Sequence, residues 1–160
     1  MLPPKGGGWR LIIYHSREAL TARLAGLLHA GRLPPAPNPA QAWEAAEAAG
    51  AYAGAGLWRA GEGLRGESVF AVGRASRPEV VARVFQGLAA LFGIDARRYL
   101  LVSVGPDQAY DDLGVIALRR VGLHRLARRV EEGLIARRWP AAAAAAAEGR
   151  RKADGLAPGP

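Results

Sequence analysis

Trp9 to Tyr14, WRLIIY, is a run of branched and aromatic residues that predicts an interior strand. Behind it Leu20, Leu24, Leu27 and Leu28 recur at helical spacing, with Ser16 as a candidate N-cap and Gly31, Pro34 and Pro35 as the stop. Asn38 and Pro39 then start a short helix reaching Ala49, and GAYAGAG is too glycine-rich for a stable element. Leu57–Ala60 and Ser68–Val72 read as a hairpin across a turn containing Gly61, Gly63 and Gly66. SRPEVVARVFQGLAALFG is the clearest helix signal: Ser76 and Glu79 match a capping box, and Pro78 suits the first turn. Val80, Val81, Val84, Phe85, Leu88, Leu91 and Phe92 keep its period, and Gly93 closes it. Tyr99–Gly105, YLLVSVG, predicts a second buried strand. From Asp111 the pattern is helical with a break near Gly122. Leu123, Leu126, Ala127, Val130 and Leu134 share one face, and arginines fill much of the other.

Strand, helix and strand in that order imply a right-handed parallel crossover. The fold class expected is therefore three-layer α/β: a central, mostly parallel sheet of about four strands with one β-hairpin, and helices on both faces. Strands buried on both faces read as continuous apolar runs, so Ile12, Ile13, Val84, Phe85, Leu88, Leu101 and Val102 are the expected core. Residues 1–8 read as a flexible leader, 9–140 as a single domain, and 141–160 as an Ala-rich and then disordered basic tail.

Composition narrows the chemistry. The 160 residues include no cysteine, which removes disulfides, thiolate metal sites and a thiol nucleophile, and fits a reducing cytoplasm. The leader has no apolar stretch of signal-peptide type. No window holds 18 uncharged apolar residues, so no membrane partner is expected. The net charge of +8 is uneven: residues 119–160 carry ten Arg or Lys against four Asp or Glu, a net +6, which leaves +2 for the rest. A basic end suggests nucleic acid or another polyanion, with Arg119, Arg120, Arg125, Arg128, Arg129, Arg137 and Arg138 as the candidates. Only Lys5 and Lys152 are lysines, and an arginine- and alanine-heavy chain also follows from a GC-rich genome.

In a parallel sheet, ligands bind outside the carboxyl ends of the strands, where the next helices begin. The topology would bring three segments there: His15-Ser16-Arg17 with Thr21, Gly73-Arg74-Ala75-Ser76, and Gly105-Pro106-Asp107-Gln108. Helix N-termini favour an anion, and Arg17, Arg74 and Arg77 could add bidentate contacts to phosphate or carboxylate. Plainer readings stand beside these. Ser16 and Ser76 are ordinary caps, His15 is a structural or solvent-facing histidine, and Asp107, Asp111 and Asp112 cap the following helix. His29 sits near a helix C-terminus, where positive charge is favourable, and His124 lies among surface arginines. No His or carboxylate pair has metal-ligand spacing, no Gly-Lys-Ser/Thr follows a strand, and the glycines of EGLRGE precede no helix. No metal and no cofactor are expected.

IIYHS…GLLHAGRLPP, VFAVGRAS…VFQGLAALFGIDARRYLLVSV and the closing GL…RRWP resemble a bacterial family of unknown function, domain of unknown function 3189, over about Trp9 to Pro140. The resemblance implies a source among spore-forming Gram-positive bacteria, and no activity. It also implies a Tyr-His-Cys opening followed by a glycine-bearing loop and His-Ser-Ser. Here Tyr14 and His15 match, Ser16 replaces the cysteine, REAL replaces the loop, and Thr21 is nearest to a serine. A glycine loop lets backbone N–H groups wrap a phosphate, whereas REAL is good helix sequence. The family's last apolar strand falls here on Val130-Glu131-Glu132-Gly133, which reads better as helix. Two functions are consistent with this sequence. One is a small-anion or nucleotide-phosphate-binding protein, a divergent and non-catalytic member. The other is a non-enzymatic interaction protein using its Arg-rich C-terminal helix on a protein or nucleic acid.

Overall fold

The computed structural model describes residues 10–35, 38–50, 56–73, 78–105 and 112–154. Along the chain these form β1 (Leu11–His15), α1 (Ala19–His29), α2 (Pro39–Ala48), β2 (Gly56–Glu62), β3 (Ser68–Gly73), α3 (Pro78–Leu91), a 3-10 turn at Ala96–Arg98, β4 (Tyr99–Ser103), α4 (Asp112–Arg120) and α5 (His124–Asp154). The sheet order is β2-β3-β1-β4. β1 is parallel to both β3 and β4, and β2 and β3 form the antiparallel hairpin. The α/β class expected from the sequence is correct.

Local chemistry explains several boundaries. The Asn38 side chain accepts the Gln41 N–H at 2.8 Å, and the Gln41 side chain accepts the Asn38 N–H at 3.4 Å, a reciprocal cap for α2. Gly122, at φ 80°, lets the chain turn between α4 and α5 in a conformation that costs other residues energy.

The order β3-β1-β4 reverses the direction of winding at β1. The chain steps from β1 to β3 on one side, then crosses back to β4 on the other. With right-handed connections this places α3 on the face of the sheet opposite α1. α1, α2 and α5 form a continuous layer on the first face, where α1 packs on β3, β1 and α5, and α5 packs on β4 and α2 and carries α4. Ile12, Tyr14, Val69, Ala71 and Val102 point into that layer and are at most 2 % exposed. Small residues allow the close approach: a Cβ added at Gly26 would lie 2.9 Å from the Ala60 Cβ.

Two expectations need correction. Of the predicted core, Ile12, Ile13 and Val102 are buried, Phe85 and Leu101 are half-buried, and Val84 and Leu88 are exposed. The apolar arc of α3 is wider than the sheet it covers, so Val81 and Ala89 are buried while Val80, Leu91 and Phe92 are also exposed. Residues 141–154 are not a frayed tail but the second half of α5, with Ala142, Ala145, Ala146, Gly149 and Ala153 buried. Alanine is the best helix former, and its small side chain lets one helix approach another closely. Helix occupies 124–139, as the sequence leads one to expect.

Candidate functional site

β1, β3 and β4 end together at His15, Gly73 and Ser103, and the reversal of winding makes the β1/β4 gap the topological switch point of the sheet. His15 stands in register between Val72 and Ser103, and the Ser16 N–H bonds the Val72 carbonyl at 3.2 Å. α1 begins directly against the end of β3, because a Cβ at Gly73 would overlap the Ala19 backbone. The predicted meeting of His15, Ser16, Thr21 and Gly73 at one edge is therefore present. Arg17 is exposed beside them. Arg74, Ser76 and Asp107 lie outside the described residues, as does the capping box that Ser76 was expected to form.

The details of the junction depart from expectation. Ser16 is not the N-cap of α1; Glu18 is, and Ser16 Oγ accepts the Glu18 N–H at 3.3 Å. The Glu18 carboxylate is 3 % exposed, accepts the Thr21 hydroxyl at 3.0 Å, and is paired with Arg138 from α5. A carboxylate at a helix N-terminus is stabilised by the dipole there, so Glu18 puts the chain's own anion where a bound anion was expected. Half of the buried polar side chains among the described residues, His15, Ser16, Glu18 and Thr21, fall within this one junction. Nothing in REAL distinguished Glu18 from an ordinary helical glutamate, because its partner is 120 residues away.

The candidate polyanion arginines divide. Arg119 makes a two-point contact with Glu131 at 3.0 Å, and the same carboxylate accepts the Trp43 indole N–H at 2.6 Å. Arg128 bonds Glu132 and Glu44 and stacks over Trp43, 4.3 Å from the ring centre. Arg138 is spent on Glu18. These three stitch α5 to its neighbours, whereas Arg120, Arg125, Arg129 and Arg137 are exposed.

A second polar cluster, missed by the sequence reading, lies at the opposite edge of the sheet. His29 is fully buried and not merely a cation at a helix end. It receives the Tyr14 hydroxyl at Nδ1, 2.6 Å away, and meets Glu67 at Nε2, 2.9 Å away. A carboxylate can only accept, so Nε2 carries the proton and Nδ1 is the acceptor. Burial holds His29 below the usual histidine range, with the Glu67 hydrogen bond opposing it in part. Burial also acts to raise Glu67, but hydrogen bonds from His29 and the backbone outweigh it and leave this carboxyl below its usual range. Burial drives Tyr14 well above the tyrosine range. Arg150 donates to the carbonyls of Leu28 and His29, closing the C-terminus of α1. A cavity of about 240 Å³ lined by His29, Leu64, Arg65, Glu67, Arg150 and Asp154 opens here. Arg65 and Asp154 pair across it at 2.8 Å, so its charges answer one another. No group of three or more His, Asp or Glu among the described residues is arranged to hold a metal ion.

The model of the family described as "Protein of unknown function (DUF3189)" matches residues 11–141. The chain belongs to this family. The match takes in the β1–α1 junction, His29 and Glu67, and it ends inside α5, before Gly149 and Arg150. No curated protein and no solved structure matches the chain. Among the described residues, no helix is long and apolar enough to cross a membrane.

Proposed function

We propose that this member of the DUF3189 family binds a small phosphate- or carboxylate-bearing ligand at the carboxyl edge of the sheet, beside the ends of β1 and β4. The observation that carries this reading is the concentration of buried polar groups, His15, Ser16, Glu18 and Thr21, at the topological switch point. Burying polar side chains costs stability, and a fold that concentrates them beside its ligand-binding edge is organised for recognition. Arg138 and the first amides of α1 are the electrostatic anchors, and Glu18 is the internal carboxylate that competes with a ligand for them. The test is a thermal-shift titration with inorganic phosphate, pyrophosphate, ATP and citrate, run on the native chain and on Glu18→Gln. A ligand bound only by the native state raises apparent stability. The reading expects a concentration-dependent rise that is larger in Glu18→Gln, where Arg138 has lost its carboxylate partner. No rise with any of the four in either protein overturns it.

A second reading, an interaction protein, draws on one specific feature. At the start of α5, exposed Leu123, just before the helix, and Leu126 and Val130 on it run beside exposed Arg125 and Arg129. That mixed face suits an acidic amphipathic segment of a protein better than a nucleic acid, since Arg119, Arg128 and Arg138 are engaged internally. Nucleic-acid binding would weaken steeply with added salt through counterion release. Binding to duplex DNA or RNA that is absent at low salt removes the nucleic-acid form of this reading.

A further inference from the structure

α3 carries more apolar surface than its own sheet uses. Val81 and Ala89 are buried and Phe85 is half-buried along one face. On the adjoining face Val80, Val84, Leu88 and Leu91, at helical spacing, are 48, 53, 44 and 77 % exposed. Gly87 lies in that same stripe, between Val84 and Leu91, and a Cβ placed on it would meet nothing within 4 Å. Glycine in mid-helix is destabilising, and no packing among the described residues calls for it. A bare glycine inside an exposed apolar stripe is a notch that lets another helix approach closely.

We propose that this stripe is the seam of a homodimer, with α3 packed antiparallel against α3 of a second copy about a two-fold axis. The spacing is self-complementary. With the axis beside the midpoint of Val84 and Gly87, each Val84 enters the notch at Gly87 of the second copy, each Val80 meets Leu91, and each Leu88 lies against the aliphatic stem of Arg83, whose charged end reaches solvent. An isologous contact needs this match of a patch with itself. The antiparallel arrangement also sets opposite helix dipoles side by side. Charge favours α3 over the other exposed apolar face. Among the described residues of α3, one acid and one base, Glu79 and Arg83, stand around the stripe, whereas the stripe of α5 is bordered by Arg125 and Arg129, which two copies would bring together. A 14-residue helix gives a seam about 21 Å long, enough for a core of apolar contacts.

Sedimentation equilibrium of the full chain from about 1 to about 200 μM measures this association. The native chain should dimerise reversibly across that range. Val84→Arg should be monomeric throughout with an unchanged thermal midpoint extrapolated to low concentration. Gly87→Leu should weaken the dimer at least tenfold without lowering monomer stability, since leucine is the better helix former and has open space here. Because the chain has no cysteine, Val84→Cys combined with Gly87→Cys should yield a covalent dimer on oxidation, while Glu79→Cys with Ala82→Cys, off the seam, should not. A native chain that stays monomeric at the highest concentration overturns the proposal, and so does a dimer that survives Val84→Arg or fails to cross-link through positions 84 and 87.

Discussion

The two faces of the sheet are built on different terms. Towards α1 and α5, Ile12, Tyr14, Val69, Ala71 and Val102 are sealed, glycines and alanines set the spacing, and buried ion pairs and hydrogen bonds bind one helix to the next. Towards α3, Ile13 is sealed at the centre but its neighbours Phe70, Val72 and Leu101 are only half-buried, and the helix there leaves an apolar stripe in solvent. Close packing on the first face needs small residues at fixed points, so its tolerance for change is low. The second face has slack, and its apolar residues are available for a partner. Stability and association are thus assigned to opposite sides of one sheet.

The largest break in this contrast should come from Leu24→Ala on the sealed face, which removes a fully buried side chain from α1. A loss of about 3 kcal/mol is expected in urea unfolding. Gly149→Ala adds a single methyl group, yet its Cβ would collide with the Tyr14 hydroxyl. Overpacking of this kind should cost about 2 kcal/mol and should disturb the Tyr14–His29 hydrogen bond, readable by tyrosine absorbance. Leu101→Ala, on the looser face, should cost only about 1.5 kcal/mol because Leu101 is not fully buried. Leu91→Ala, 77 % exposed, should change the stability of the monomer by less than about 0.5 kcal/mol. Equal costs for Leu24→Ala and Leu101→Ala would erase the distinction between the faces.

Acid should sharpen the contrast through the sealed face. His29 and Glu67 both have folded-state values below those of the unfolded chain, so the unfolded state binds more protons. Their contribution is complete above the unfolded histidine value of 6.5 and is lost as pH falls, first through His29 and then through Glu67. The thermal midpoint should decline below about pH 6.5, and His29→Gln should flatten the upper part of that decline. A midpoint independent of pH between 7 and 4 would contradict the assignment of a neutral His29 bonded to an ionised Glu67.

The element sequence was legible because each signal is local. The capping pair Asn38–Gln41, the period of α3 and the apolar run of β1 act within a few residues and need no partner to be read. The coming together of His15, Ser16, Thr21 and Gly73 was also readable, because right-handed parallel topology dictates which strand ends meet. The roles of Glu18 and His29 were not, since each is defined by a residue far away in sequence, Arg138 in one case and Glu67 in the other. The alanine-rich stretch 141–147 illustrates the same limit: its composition is equally that of a frayed end and of a tightly packed helix.

The sequence by itself determined the strands, the helices, their order and hence the handedness of their connections, because propensity, capping and periodicity are properties of neighbouring residues. Only the tertiary structure decided which side of α3 faces the sheet, that α5 continues to Asp154 against α1, and that a glutamate fills the N-terminus of α1. Those outcomes depend on the area one element offers another and on charges meeting across more than a hundred residues, quantities that a helical period does not contain.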